Sequence, residues 1–228
     1  AYHIAENCNV VRDGWNGFNV LHTAAARVAG LDLGLVPGEG GRDVSGIIAG
    51  AAKGEIDVVF LLGADEINVS GMGEAFVIYI GHHGDAGAGR ADVVLPGAAY
   101  VEKNATWVNT EGRVQLGQRA VFPPGGARED STIIRALSDV VGCPLPYDDI
   151  LSVRKRMAEI AETFNIIDTV RPALWDEFGS DTLPSSDPFM NPIDDFYMTD
   201  AICRSSETMA ACSIQILGNG AKVPVTHG

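Results

Sequence analysis

Ile56-Asp57-Val58-Val59-Phe60-Leu61-Leu62-Gly63-Ala64-Asp65 is an apolar run that stops at a glycine and an acid. Two more runs follow: Phe76-Val77-Ile78-Tyr79-Ile80, ending in Gly81-His82-His83-Gly84-Asp85, and Ala91-Asp92-Val93-Val94-Leu95-Pro96. Short β-branched runs without polar alternation predict strands buried on both faces, as in a parallel sheet covered by helices. Glycine at the carboxyl end of a strand lets the backbone turn sharply over the sheet edge, where open α/β sheets bind ligands. The polar loops leaving these strands are therefore the first place to look for function.

On the amino side, Phe18, Val20, Leu21, Ala24, Ala25 and Val28 recur at helical spacing. This predicts a helix capped by Asn16 or Asn19 and closed by Gly30. A loop with Pro37 follows, then a short helix from about Val44 to Lys53 that feeds the first strand. On the carboxyl side, Val121 to Gly126 is a turn-rich connector. Arg128-Glu129-Asp130-Ser131 then starts a helix with the stripe Ile133, Ile134, Leu137, Val140 and Val141, its acids near the start where the helix dipole favours them. A further amphipathic helix spans Ile150 to Phe164, its Arg154, Lys155 and Arg156 read as a solvated face. This alternation predicts an α/β fold with a doubly wound, mostly parallel sheet over residues 1–164. Residues 165–199 turn to Pro, Asp and Ser with scattered Trp175, Phe178, Phe189 and Met190, and read as an extended arm clipped down by its aromatics. A terminal helix over 200–217 and a frayed tail over 218–228 complete the chain.

At 228 residues and 46% hydrophobic, the chain can build a sizeable core. Its net charge of −14 argues against nucleic acid, since binding phosphates needs clustered Lys and Arg. No apolar run approaches the roughly 20 residues needed to cross a bilayer. Cys8, Cys143, Cys203 and Cys212 form no C-x-x-C and no iron–sulfur spacing, and read as small thiols in a reducing compartment. With no initiator Met and no signal or transit segment, Ala1 reads as a cut inside a longer chain.

Four residues at the strand tips are candidates for chemistry: Asp65, His82, His83 and Asp85. Neighbours on a strand point to opposite faces, so the two imidazoles reach one ion only if the loop bends them together. A zinc site also needs three or four converging ligands. The competing reading has the Gly81–Gly84 loop turning tightly while these side chains cap backbone groups. Asp65 and Asp85 stand where an acid would hold a ribose in a nucleotide-binding sheet, or satisfy loop N–H groups in a vestigial one. Gly84-Asp85-Ala86-Gly87-Ala88-Gly89 lacks both the G-x-G-x-x-G order and the lysine of a P-loop. Around Trp107, the charges Glu102, Lys103, Glu111 and Arg113 with Asn109 are read as a structural network in an irregular loop, with no nucleophile beside a base.

Several of these stretches carry a resemblance. Gly81-His82-His83-Gly84-Asp85, Ala91 to Tyr100, Glu102-Lys103 and Asn109-Thr110-Glu111-Gly112-Arg113 closely resemble the large iron–sulfur subunit of respiratory complex I, NADH:ubiquinone oxidoreductase. The likeness extends back to Trp15–His22, forward through Ala127–Asp130 and Arg135–Ser138, and resumes at Phe196–Asp200. Ser131 stands where that family usually has Trp, and Cys203 where Ser is usual.

The resemblance implies a molybdopterin-oxidoreductase-like fold with helices on both faces of the sheet, incomplete at its amino-terminal side. It implies a structural domain with no catalytic residue, no metal ligand and no bound cofactor of its own. Asp65, His82, His83 and Asp85 would then be no more than vestiges of a ligand site. The 2Fe-2S and 4Fe-4S clusters of such a subunit, which carry electrons from NADH towards quinone, would be held by its amino-terminal part. Expected partners are other peripheral-arm subunits. The expected place is the matrix side of the mitochondrial inner membrane, or the cytoplasmic side of an alphaproteobacterial plasma membrane. Two other readings stay open: an active pterin- or nucleotide-dependent oxidoreductase domain, and a non-respiratory interaction module.

Overall fold

Three of the quoted runs become three parallel strands. The computed structural model describes residues 2–171 and 185–218. In chain order it opens with α1 (Tyr2–Asn7), β1 (Val11–Arg12), β2 (Trp15–Asn16), α2 (Arg27–Asp32) and α3 (Val44–Ala52). The central stretch is β3 (Val58–Leu62), β4 (Phe76–Gly81), α4 (Ala86–Arg90), β5 (Val93–Pro96), β6 (Ala105–Val108) and β7 (Val114–Gly117). Then come α5 (Asp130–Val140), α6 (Ile150–Ile160), α7 (Ala201–Arg204) and α8 (Glu207–Leu217). These elements divide into two compact units, each assembled from three separate stretches.

One unit takes the described residues within Val36–Asn104, Gln118–Ser152 and Ile193–Gly228. It holds the parallel sheet, in the order β3-β4-β5. Asp43 starts α3 by accepting the N–H of Gly46 at 2.7 Å, and the chain then enters β3. Val59, Leu61, Val77 and Tyr79 form the buried face of the sheet, packed with Ala51 of α3, Met72, Val69 and Ala88 of α4. Met72 and Val77 are wholly buried.

Burial of both faces, expected from the unbroken apolar runs, is incomplete: Ile80 is buried on the second face, but most of its neighbours there are not. Val58, Phe60 and Leu62 alternate with buried Val59 and Leu61 and remain exposed. The reason lies in the strand order. Parallel crossovers are right-handed, so connections between sequential neighbours all pass over the same face. Here β3 to β4 and β4 to β5 are both such steps, and α3 and α4 share the face they cover. The structure is thus α/β, with a parallel sheet and α3 and α4 together on one face of it.

The single terminal helix expected over 200–217 is two helices. Asp200 caps α7 by accepting the N–H groups of Ile202 and Cys203, each at 2.9 Å. Ser206 caps α8 through the N–H of Met209. Gly218, at φ +71°, ends α8 in the left-handed conformation that glycine tolerates. Of the expected arm, Phe189 and Met190 are exposed, while Trp175 and Phe178 lie outside the described residues.

The other unit takes the described residues within Ala1–Leu35, Ala105–Gly117 and Val153–Pro192. Its core gathers Ala29, Val108, Val114 and Phe164, with Met157 and Ala158 of α6 packed against them. Of the helix expected from Asn16 or Asn19 to Gly30, only the end forms, as part of α2, which runs through Gly30 to Asp32 rather than closing at the glycine. Instead β1 and β2 make a small antiparallel hairpin around Asp13-Gly14, with Gly14 at φ +75° and Arg12 over the Trp15 ring at 5.0 Å. An Asp-Gly pair between short strands is a strong turn signal. Val20 and Leu21 of the supposed stripe are exposed, and α2 begins only at Arg27.

The charged stretch around Trp107 is a regular hairpin rather than an irregular loop. β6 and β7 pair antiparallel from Ala105↔Gly117 to Val108↔Val114. Asn109 builds the turn, its side-chain oxygen accepting the N–H groups of Glu111 and Arg113 at 3.0 Å each, and Gly112 takes φ +81°. Lys103 pairs with Asp130 in the sheet unit, and Glu111 with Arg113 at 3.4 Å in the hairpin unit. The charges read as one network therefore belong to two.

Candidate functional site

The tips of β3 and β4 bring Asp65, Asp85 and both histidines into one unit. Gly63, at φ +58°, turns the chain out of β3 and delivers Asp65 into a buried position. Its carboxylate is fully engaged by neighbours. The Tyr79 hydroxyl donates to Oδ2 at 2.7 Å, and the Gly87 N–H donates to Oδ1 at 3.1 Å. A hydroxyl has one proton to give; the carbonyl of His83 lies at 3.4 Å, so Asp65 is the acceptor we assign.

Tyr79 rises from the middle of β4 and is 2% exposed. Burial raises its pKa first, and the hydrogen bond and negative charge of Asp65 add to this, so the phenol is a fixed donor. A Cβ at Gly87 would stand 2.8 Å from Asp65 Oδ1 and 2.9 Å from the Tyr79 ring. The start of α4 therefore packs directly on the tyrosine–aspartate pair, and the space a larger residue would need is already filled.

Asp85 is also spoken for. One oxygen accepts the N–H of Ala86 at 2.9 Å. The other receives Nε of Arg204, the last residue of α7. The same guanidinium donates to Glu66 Oε1 at 3.2 Å and to the Met198 carbonyl at 3.2 Å. Arg204 thus ties α7 to the loops after both β3 and β4.

His82 and His83 meet. Their Nδ1 atoms are 2.7 Å apart and the rings sit edge to face, with centroids at 4.9 Å. The alternation that would part them fails because both lie beyond Gly81, where β4 ends. One Nδ1 must donate and the other accept, so at least one ring is neutral. Partial burial lowers the pKa of His82, and His83 and Lys103 lower it further. Among the described residues, no three His, Cys, Asp or Glu side chains converge in a way that could hold a metal ion.

The sequence pointed to the acids and missed their partners. Tyr79 had a signal: it carries the one hydroxyl in the three strand runs, and a buried hydroxyl needs an acceptor. Arg204 had none, being 119 residues from Asp85. A cleft of about 300 Å³ lies in the hairpin unit, lined by His22, Val28, Trp107, Asn109 and Gln115 among others, and none of the four candidates lines it.

A pterin cofactor of the kind held by molybdopterin enzymes would need free hydrogen-bonding groups at these tips. The residues present do not fit it. Asp65 and Asp85 are occupied from within the chain, and a buried tyrosine ring closes against Gly87. In this arrangement the tips can brace loops and anchor a helix; they offer no nucleophile paired with a base.

Residues 1–140 match the family model of molybdopterin oxidoreductases, and residues 172–212 match that of the C-terminal region of the G-type subunit of NADH-ubiquinone oxidoreductase. The chain is 48% identical over 209 residues to the mitochondrial NADH-ubiquinone oxidoreductase 78 kDa subunit of Candida albicans, covering 87% of this chain and 28% of that one. It is 46% identical over 202 residues to the NADH-ubiquinone oxidoreductase 75 kDa subunit of Reclinomonas americana, covering 87% and 29%. It is 45% identical over 217 residues to NADH dehydrogenase [ubiquinone] iron-sulfur protein 1, mitochondrial, of Solanum tuberosum, covering 92% and 28%. The chain thus spans less than a third of the length of these relatives. It belongs to the molybdopterin oxidoreductase family, in the branch formed by the 75/78 kDa subunits of NADH-ubiquinone oxidoreductase.

Proposed function

We propose that this chain is a structural domain of the large iron–sulfur subunit of complex I. It supports electron transfer from NADH through iron–sulfur clusters to quinone without holding a cluster itself. On this reading the 2Fe-2S and 4Fe-4S clusters are bound elsewhere in the subunit. The doubly wound sheet is completed there too, and the partners are other subunits of the peripheral arm. The names of the Candida and Solanum relatives favour a mitochondrial setting, with the domain on the matrix side of the inner membrane. No described helix is long and apolar enough to cross a membrane.

The observation that carries this reading is internal satisfaction of the strand-tip acids. Asp65 is held by Tyr79 and Gly87, and Asp85 by Ala86 and Arg204. A cradle still in use would keep these acceptors for its ligand; here they hold the fold together. Asp65, His82, His83 and Asp85 are on this reading remnants of a ligand site.

The test is elemental analysis of the purified full-length subunit for molybdenum and tungsten, with fluorescence assay of acid-released pterin. Iron without either metal, and no pterin signal, is the expected result. Molybdenum or tungsten at one per chain would overturn the scaffold reading in favour of an active pterin-dependent domain.

A further inference from the structure

Asn16-Gly17 ends the second strand of the β1–β2 hairpin. An asparagine followed by glycine sets an electrophilic carboxamide carbon beside an unhindered backbone nitrogen, because glycine has no side chain to screen its N–H. The glycine is there for space rather than for its backbone angle, since its φ is not positive. A Cβ at Gly17 would stand 2.8 Å from Trp15 Cζ3 and 2.9 Å from Val10 Cγ1. The packing of Trp15 thus keeps a reactive pair in the sequence.

In the closed hairpin both reactants are tied. The Gly17 N–H donates to the Val10 carbonyl at 2.8 Å, and Asn16 Oδ1 accepts the N–H of Phe18 at 2.9 Å. Pairing with Val11 holds Asn16 in a strand. Closing a five-membered ring between the Gly17 nitrogen and Asn16 Cγ requires Asn16 to leave that conformation. The guard is weak. Only two residue pairs join the strands, Asn16 is exposed, and a two-stranded hairpin is marginal by itself. Elements of this kind open locally at the low end of a protein's range of opening energies.

We propose that Asn16 is a self-modification site gated by this hairpin, converting to isoaspartate when the strands part. The Gly17 nitrogen bonds to Asn16 Cγ and the Cγ–Nδ2 bond breaks. Nδ2 leaves as ammonia, taking up the proton that the Gly17 nitrogen gives up. One solvent water then opens the succinimide. Opening at the main-chain carbonyl carries the backbone through Cβ and Cγ, which adds a methylene to the strand and leaves a free carboxylate. The added atom shifts Gly17 off Val10, so the reaction also removes its own guard. The hairpin and the strand tips lie in different units, and the proposal stands whatever those tips hold.

The test follows the tryptic peptide Asp13–Arg27 from the full-length subunit held at neutral pH, with isoaspartate located by electron-transfer fragmentation. Asn16 should convert at least about tenfold more slowly in the folded subunit than in the same sample unfolded in urea. Trp15→Ala removes the ring packed on Gly17, and Gly14→Ala strains the turn at φ +75° while keeping that ring. Each should move the folded rate towards the urea rate. Equal rates in the folded and unfolded wild type would show that the hairpin guards nothing, and the proposal would fall. Both variants converting at the folded wild-type rate would place the guard elsewhere and overturn it too, as would the absence of isoaspartate at Asn16 from every folded sample.

Discussion

Asp92 shows how a residue in a recognisable motif can act chiefly through the backbone. It accepts the N–H of Val77 at 2.7 Å, and Arg90 lies 3.4 Å from the same oxygen. Arg90 in turn donates to the carbonyls of Gly73 and Ala75 at 3.0 Å each, so the two side chains bind the start of β4 to the start of β5. The hydrogen bond from Val77 is the main reason the Asp92 carboxyl is held below the ordinary carboxylate range, with Arg90 adding to it. A depressed folded value gives stability that is complete above the unfolded value of about 3.9 and is lost as pH falls through the folded one. Urea midpoints measured across that acid range should therefore fall more steeply for the wild type than for Asp92→Asn. Parallel profiles would show that the carboxylate's charge contributes nothing. At this scale the sequence was half legible. It placed Asp65 and Asp85 at strand ends, because a glycine and an acid closing an apolar run is a local signal. It could not give Asp92 its acceptor role or Asp85 its arginine, because both partners are remote along the chain.

Among the described elements, α7 is tied to the loops after β3 and β4 through one side chain, Arg204. It is a helix of four residues, too short to hold itself by backbone hydrogen bonds alone. Arg204 fixes it to Asp85 and Glu66, and is itself only 24% exposed. Arg204→Ala would leave a largely buried Asp85 short of its charged partner, at a cost of about 1–3 kcal/mol. Hydrogen exchange followed by mass spectrometry should show faster exchange confined to residues 196–204 and 82–86, with β3 unchanged and Arg204→Lys restoring part of the protection. Uniform loss across the sheet would mean that the contact is part of the core rather than a tether. The elements that could be read in advance were β3, β4, β5, α3, α5 and α6, each carrying an apolar pattern and all but α6 a clear terminator. In the pattern over residues 18–28, Val28 packs on the core within α2 while Val20 and Leu21 stay exposed, and periodicity without burial does not make a helix. The β6–β7 hairpin was hidden behind its charges. Its turn is set by Asn109 and Gly112, residue types that favour tight turns.

In the whole molecule the two units are interleaved along the chain, and each depends on stretches far apart in sequence. Strands β6 and β7 are enclosed by residues from the third stretch of their unit. Phe164 packs on Val108 and Val114, Arg154 donates to Thr106 and to the Ala105 carbonyl at 3.2 Å each, and Asp168 donates its N–H to the Val114 carbonyl. A chain ended after Ser152 keeps all three parallel strands but loses every one of these contacts. Amide protection over residues 105–117 should collapse in that truncated chain, while β3 and β4 remain protected. Retained protection at the hairpin would mean that it folds on its own strands. The alternation also constrains ancestry. No single cut in a gene can deliver one unit whole without severing the other.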